Sequence, residues 1–550
     1  MSYDLPPGPP PSGPPVGPPA GAPETLDSRG GAPLPATGSS RGGRRTTVLA
    51  IGGAIGAVAV GGVAWAAWSF FATGAQPAEA LPGSTLAYAS IDLDPNGGQK
   101  IEALRTLQKF PGFKDEVGID TDDDIREWIF EQIQQESGCK DLDYGDDIEP
   151  WLGDRFAVAA VDTGKDGPAP VVVVQVSDDD KADQGLTKLL ECGGGDSDAA
   201  AWAISDGWAL IGESQQVVDG IADDADDSSL ADDDDFQKWT GAAGDTGIVS
   251  MYAAPEAGTV LADQLSSGLG DLSGLSDLGD EAAAAPDDMT AALKDFKGAA
   301  ATVRFDDGGL ELEVAADPAA TGRAITAGDA GAQAVSTLPD DTAAAIGLSF
   351  ADGWAKDLVE QIAKATGESA DDLLAQAEDE LGLDLPDDVE TLVGDSMAIA
   401  VDAGFDPSSF AAGESDGGAT GVGVKIVGDA DGIEGVLSRL QDAAGGADGG
   451  VLDHDSDGGA VAVGPDPLYR KQLLEDGGLG DSATFRKVVE HADDAAAVVY
   501  LDFDAGDDWL VELAGDDAEV RDNLEPLDAL GMSAWVDDDT AHTVLKITTD

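Results

Sequence analysis

Asp453, Asp455 and Asp457 alternate through Asp453-His454-Asp455-Ser456-Asp457-Gly458, the spacing in which calcium loops bring carboxylates onto one hard cation. The twelfth position of such a loop is Gly464 here, where an EF-hand needs a bidentate Glu, and the flanks are patterned as strands. The three aspartates are therefore a candidate calcium site with an incomplete ligand set. A second acidic knot, Asp141, Asp143, Asp146, Asp147 and Glu149, is no stronger, because acids are so abundant that chance clusters are expected.

Catalytic constellations are missing from the sequence. There is no G-x-S-x-G elbow, no phosphate-binding loop, no H-E-x-x-H and no convincing dinucleotide fingerprint. His454, His491 and His542 lie far apart in the C-terminal half, and His491 follows a helical run as a helix-end residue. Carboxylate pairs suited to glycoside hydrolysis are uninformative where acids are everywhere. The expectation is a protein without catalytic residues and without a cofactor. Cys139 and Cys192 fall in one half of the chain, so in an oxidising compartment they read as a disulfide, the alternative being two buried thiols.

Charge narrows the classes further. The 550 residues carry 108 acidic and 29 basic side chains, a net charge of −79. Residues 1–80 are neutral, with four acids and four bases, so residues 81–550 carry the whole excess. A polyanion of this kind is repelled by phosphate backbones, which excludes nucleic-acid binding. Such a surface keeps an exposed domain soluble, and it also suits a cationic or divalent-cation-rich partner of the cell envelope.

The elements that would place this surface begin with residues 1–45. Twelve of the 28 prolines fall in the first 35 residues, so this stretch reads as a disordered Pro/Gly-rich tail. Residues 46–72 follow as a single transmembrane helix with an uncharged apolar core over 48–71. Twenty-four helical residues reach roughly 36 Å, enough to cross a hydrocarbon core of roughly 30 Å. Arg41, Arg44 and Arg45 flank its start, while Trp65, Trp68, Phe70 and Phe71 gather at its end. That asymmetry predicts a cytoplasmic N-terminus and an extracytoplasmic remainder. Ala78-Glu79-Ala80 resembles a signal-peptide cleavage site, but the apolar run is too long and the leader too extended, favouring an uncleaved anchor in the cell membrane. Gly52 and Gly56 are spaced to let two such helices approach as a weak dimer.

Beyond a linker at 73–80 the texture is α+β, with short β-patterned runs, helical runs and Asp/Gly turns. The pattern recurs. Leu81-Pro82-Gly83-Ser84-Thr85 is echoed by Leu338-Pro339-Asp340-Asp341-Thr342, and Asp235-Phe236-Gln237-Lys238 by Thr484-Phe485-Arg486-Lys487. Tyr252 and Ala257-Gly258 align with Tyr500 and Ala505-Gly506. Six such landmarks in one order predict two tandem copies of one α+β unit, 81–320 and 335–550, joined through 321–334.

The Leu-Pro-x-x-Thr strand, then Asp92-x-Asp94-Pro95 with Gly97-Gly98-Gln99-Lys100, then Trp151-Leu152-Gly153-Asp154-Arg155, resembles the bacterial, mainly actinobacterial, domain of unknown function 3352. The resemblance implies a Pro/Gly-rich tail and one membrane helix ahead of the domain, and it carries no activity with it. The functional expectation is a membrane-anchored extracytoplasmic binding or scaffolding protein of the envelope. The alternatives are a carrier holding a lipid or other hydrophobic ligand between the two copies, and an envelope hydrolase using carboxylates.

Overall fold

The computed structural model describes residues 76–550 except 94–97, 117–123, 138, 140–141, 165–166, 193–199, 246, 269–292, 307, 319–326, 367–368, 406–420, 445–449, 507–517 and 538. The expected tail, the apolar segment 48–71 and its Gly52 and Gly56 lie outside the described residues. Among those described, no helix is long and apolar enough to cross a membrane. Residues 77–80, expected as linker, form a 3-10 turn that buries Pro77 and Ala78.

From there β1 (Thr85–Asp92) leads through α1 (Gly98–Leu107), α2 (Pro111–Glu116) and α3 (Ile125–Ser137) to β2 (Leu152–Val161) and β3 (Ala169–Val176). After α4 (Asp179–Cys192) come β4 (Ala201–Ser205), β5 (Trp208–Gly212), α5 (Gln215–Asp227), α6 (Asp234–Ala242) and β6 (Val249–Ala253). The chain continues through α7 (Pro255–Gly268), β7 (Ala299–Asp306), β8 (Gly309–Ala316) and α8 (Ala330–Ser336) to β9 (Thr342–Ser349). Next are α9 (Trp354–Thr366), α10 (Ala370–Leu381), α11 (Asp387–Val393), β10 (Ser396–Asp402), β11 (Val422–Val427) and α12 (Ala430–Ala444). The last stretch holds β12 (His454–Asp457), β13 (Ala460–Val463), α13 (Pro467–Leu474), α14 (Ala483–Val488), β14 (Ala497–Asp502), α15 (Ala518–Leu524), β15 (Leu527–Asp537) and β16 (Thr540–Thr549). Residues 330–334, expected within a connection, begin α8, which packs on β9 and β10.

All sixteen strands join one antiparallel sheet in the order β12-β13-β11-β10-β9-β14-β15-β16-β8-β7-β6-β1-β2-β3-β5-β4. The α+β class expected from sequence is therefore correct, and the described residues from Gln76 to Asp550 form one compact unit. Outward from the β8–β16 pair, the first eight strands read 8-7-6-1-2-3-5-4. The last eight read 16-15-14-9-10-11-13-12.

Landmark residues explain the local geometry on both sides. Thr85 Oγ1 donates to the Pro82 carbonyl and Thr342 Oγ1 to that of Pro339, each at 2.7 Å, tightening the turn before β1 and before β9. The Leu81 carbonyl accepts from Leu230 N at 2.6 Å, and that of Leu338 from Leu479 N at 3.0 Å. Asp233 caps α6 through Phe236 N and Ser482 caps α14 through Phe485 N. Such caps contribute about 1 kcal/mol each. The capped helices deliver Phe236 edge-on to Tyr88 and Tyr252, and Phe485 edge-on to Tyr500. Alanines at the facing strand positions (Ala157, Ala159 and Ala300, or Ala345, Ala398 and Ala400) leave room for α5, α6, α8 and α14 on this first face. Between β4 and β5, Asp206 and Gly207 both take positive φ, the two-residue turn that matches strand twist.

The β8–β16 junction is where polar side chains enter the core. Lys546, 2% exposed, stands opposite Glu311, 1% exposed, with Nζ 3.2 Å from Oε2. Arg304 reaches both Glu311 and Glu313, and Lys546 also donates to Glu490. Burial holds the Glu311 carboxyl above the usual range, Arg304 and Lys546 pull it down, and Glu490 adds to the rise. Replacing one member of a buried ion pair leaves an uncompensated charge, which typically costs 3–5 kcal/mol. Lys546→Met should therefore lower unfolding stability in urea by about 3 kcal/mol, and Lys546→Met/Glu311→Gln should recover at least half of that loss.

Candidate functional site

The second face of the sheet carries one apolar row that crosses the junction. Strand by strand, Val424, Ile399, Ile346, Val499, Met532, Leu545, Leu312, Val303 and Val249 stand directly opposite one another. Nine strands at about 4.8 Å give a row of roughly 38 Å. Its flanks are roofed: Ile433 and Leu437 of α12 pack on Ile426 and Val461, Ala103 of α1 on Val249 and Phe305, and Ala182 and Leu186 of α4 on Val172 and Val174. Toward its middle the row opens. Ile346 and Ile399, neighbours across β9 and β10, are 43% and 38% exposed, and Val499, Met532, Leu545 and Leu312 are half-buried. Large aliphatic side chains set side by side in water are the kind of surface that binds something.

Carboxylates gather at the ends of β14, β15 and β16, where Lys487 of α14 reaches Asp528. Asp504, Asp528 and Asp550 each bring one oxygen within 4.8 Å of the others. Thr548 Oγ1 and Lys487 Nζ donate to Asp528 at 3.0 and 2.8 Å, and Tyr500 donates to Asp502 at 3.2 Å. Burial, reinforced by Asp550, Asp528 and Asp502, pushes the Asp504 carboxyl up to about 6. Burial and Asp528 likewise raise Asp502, and burial with Asp402 raises Asp341. The three converging oxygens offer a hard cation a partial ligand set. They come from residues 24 and 22 positions apart, so only strand pairing could have revealed them.

The residues singled out from sequence fall elsewhere. Asp455 and Asp457 lie on β12 and Asp453 just before it. Alternate residues of a strand are roughly 7 Å apart, so the three carboxylates are strung along the edge of the sheet. Asp455 accepts from Arg470 Nε at 2.8 Å, and Asp453 is 3.5 Å from Gln441 Nε2. Cys139 and Cys192 are joined in a disulfide with Cα atoms 5.5 Å apart, tying the segment after α3 to the end of α4. His454 sits on β12, while His491 and His542 flank Trp535 in a stack with ring centroids 4.3 and 4.9 Å away.

The site thus consists of an open apolar row and a cluster of carboxylates on a sixteen-stranded antiparallel sheet with helices, an α+β architecture. The profile of a family described as Protein of unknown function (DUF3352) matches residues 48–414, two thirds of the chain, and the chain belongs to that family. No curated protein and no solved structure matches it significantly.

The carboxylate cluster makes a prediction with a definite sign. A carboxyl whose folded pKa lies above its ordinary value of 3.8 stabilises the fold most below that value, and the contribution is lost as pH rises through about 6. Asp504 should titrate near 6 by carboxyl-carbon NMR, and Asp528→Asn should move that midpoint down.

Proposed function

We propose that this protein is a single-pass, membrane-anchored, extracytoplasmic binding or scaffolding protein of the cell envelope, non-catalytic, built from two copies of one α+β unit. Its binding surface is the open middle of the apolar row. The observation that carries the reading is the run of directly paired aliphatic side chains from Ile399 to Leu312, continuous across the β8–β16 junction and exposed at Ile346 and Ile399.

Each further part has its own support. The anchor rests on the apolar run 48–71 with three arginines before it, and the family match begins at Val48. The exterior location agrees with the Cys139–Cys192 disulfide, since such bonds persist in oxidising compartments. The repeat is supported by the two strand orders, by the paired turns at Thr85 and Thr342, and by the paired caps of α6 and α14. A surface with a large negative charge would turn the domain away from anionic polymers and toward cationic or divalent-rich ones.

A second reading is favoured by the row's composition. From Ile399 to Leu312 it contains no polar side chain, which suits an acyl chain laid across the strands better than a peptide backbone. Two experiments test these readings. A C-terminal epitope should be accessible to antibody on intact cells, and shielding until lysis would overturn the extracytoplasmic placement. Ile346→Ser/Ile399→Ser replaces side chains already partly in water, so stability should fall by no more than about 1 kcal/mol. Lipid adducts carried by the wild-type protein in native mass spectrometry should be lost from this variant. Adducts unchanged by it would remove the row from the carrier reading.

A further inference from the structure

Two edges of like design meet in the middle of this sheet, and their side chains differ in sign. Tyr252 stands opposite Ala300 and Ala300 opposite Ala315, while Tyr500 stands opposite Gly531 and Gly531 opposite Lys546. Ala315 of β8 thus occupies the place of Lys546 in β16, Glu313 that of Val544, and Glu311 that of His542. In the junction itself Glu313 faces Val544, so a local two-fold axis passes through that pair. The two edges are geometrically interchangeable, and a second copy of this chain could offer either one the same backbone ladder.

The side chains forbid it. A β8 paired with another β8 in this register would set Glu313 opposite Glu313, with a Glu311 on each side and only the two Arg304 guanidinium groups to oppose four buried carboxylates. A β16 paired with another β16 would set His542 opposite Lys546. In the observed pairing Lys546 meets Glu311, and β8 supplies the acids while β16 supplies the bases. Like charges directly opposite in a ladder are destabilising, and inward-pointing charges are a known guard on open strands.

We propose that Glu311 and Glu313 on β8, with Lys546 and His542 on β16, form a pairing code that admits β16 to the β8 edge and refuses a second copy of this chain. The guard matters most while β8 is complete and β16 has yet to be made, when the naked edge could meet the same edge of a neighbouring chain. Specificity of this kind comes from the penalty on the wrong partner as much as from the fit of the right one.

The test uses the full chain in detergent, with two differently tagged populations unfolded together, refolded together and captured through one tag. Wild-type protein should carry over little of the second tag. Glu313→Val, which removes the charge at the axis, should raise carry-over at least tenfold. Glu313→Gln should give an intermediate rise and serves if the valine variant fails to refold. Val544→Ala loosens the same pair without altering charge and should stay at the wild-type level. Carry-over by the Glu313 variants equal to wild type overturns the proposal. Carry-over by Val544→Ala as high as theirs overturns it too, since the effect would then be loss of stability alone.

Discussion

A lysine and a glutamate, both stripped of water and set opposite each other on β16 and β8, hold the two ends of this chain's sheet together. Every strand before β8 pairs only with the first eight, and every strand from β9 to β15 only with the last eight or with β16. Continuity of the sheet rests on eight ladder positions between Gly309–Ala316 and Ala541–Thr548. Backbone pairing alone would allow these edges to slip or to choose other strands. Buried charges at Glu311, Glu313 and Lys546 make any other register or partner costly.

That junction is what carries the apolar row from one half of the sheet into the other. Met532 and Leu545 lie on one side of it and Leu312 and Val303 on the other, and the register that aligns Lys546 with Glu311 also aligns Leu545 with Leu312. The first face of the sheet is closed by capped helices whose aromatic side chains seat between strands. Among the described residues the second is covered toward its flanks, by α11 and α12 at one end and by α1 to α4 at the other. The surface proposed for binding thus lies between these flanking helices, and its shape is set by the sheet beneath.

Much of this was legible in the residues. The strands at Thr85, Val171, Met397 and Val422 follow from β-branched and alternating patterns, and Ser205-Asp206-Gly207 announces its hairpin. The echo of Leu81-Pro82 in Leu338-Pro339 marks two turns that prove to be made by the same threonine hydrogen bond. What stayed hidden depends on pairing between distant segments. Glu311 and Lys546 are alternating residues of ordinary-looking strands more than 230 positions apart. The aliphatic row needs nine registers at once, and Asp504, Asp528 and Asp550 meet only at the strand ends. The Asp453–Asp457 motif shows the reverse: a local spacing suggestive of a loop, laid instead along an edge strand with Asp455 bound to Arg470.

Hydrogen exchange resolved by residue addresses the junction most directly. If β8 and β16 bind the halves into one cooperative sheet, the amides of Leu312, Val314, Thr543 and Leu545 should exchange as slowly as those of β1 and β9. Rapid exchange at the junction, with β1 and β9 still protected, would mean two separate sheets that merely touch and would contradict the account.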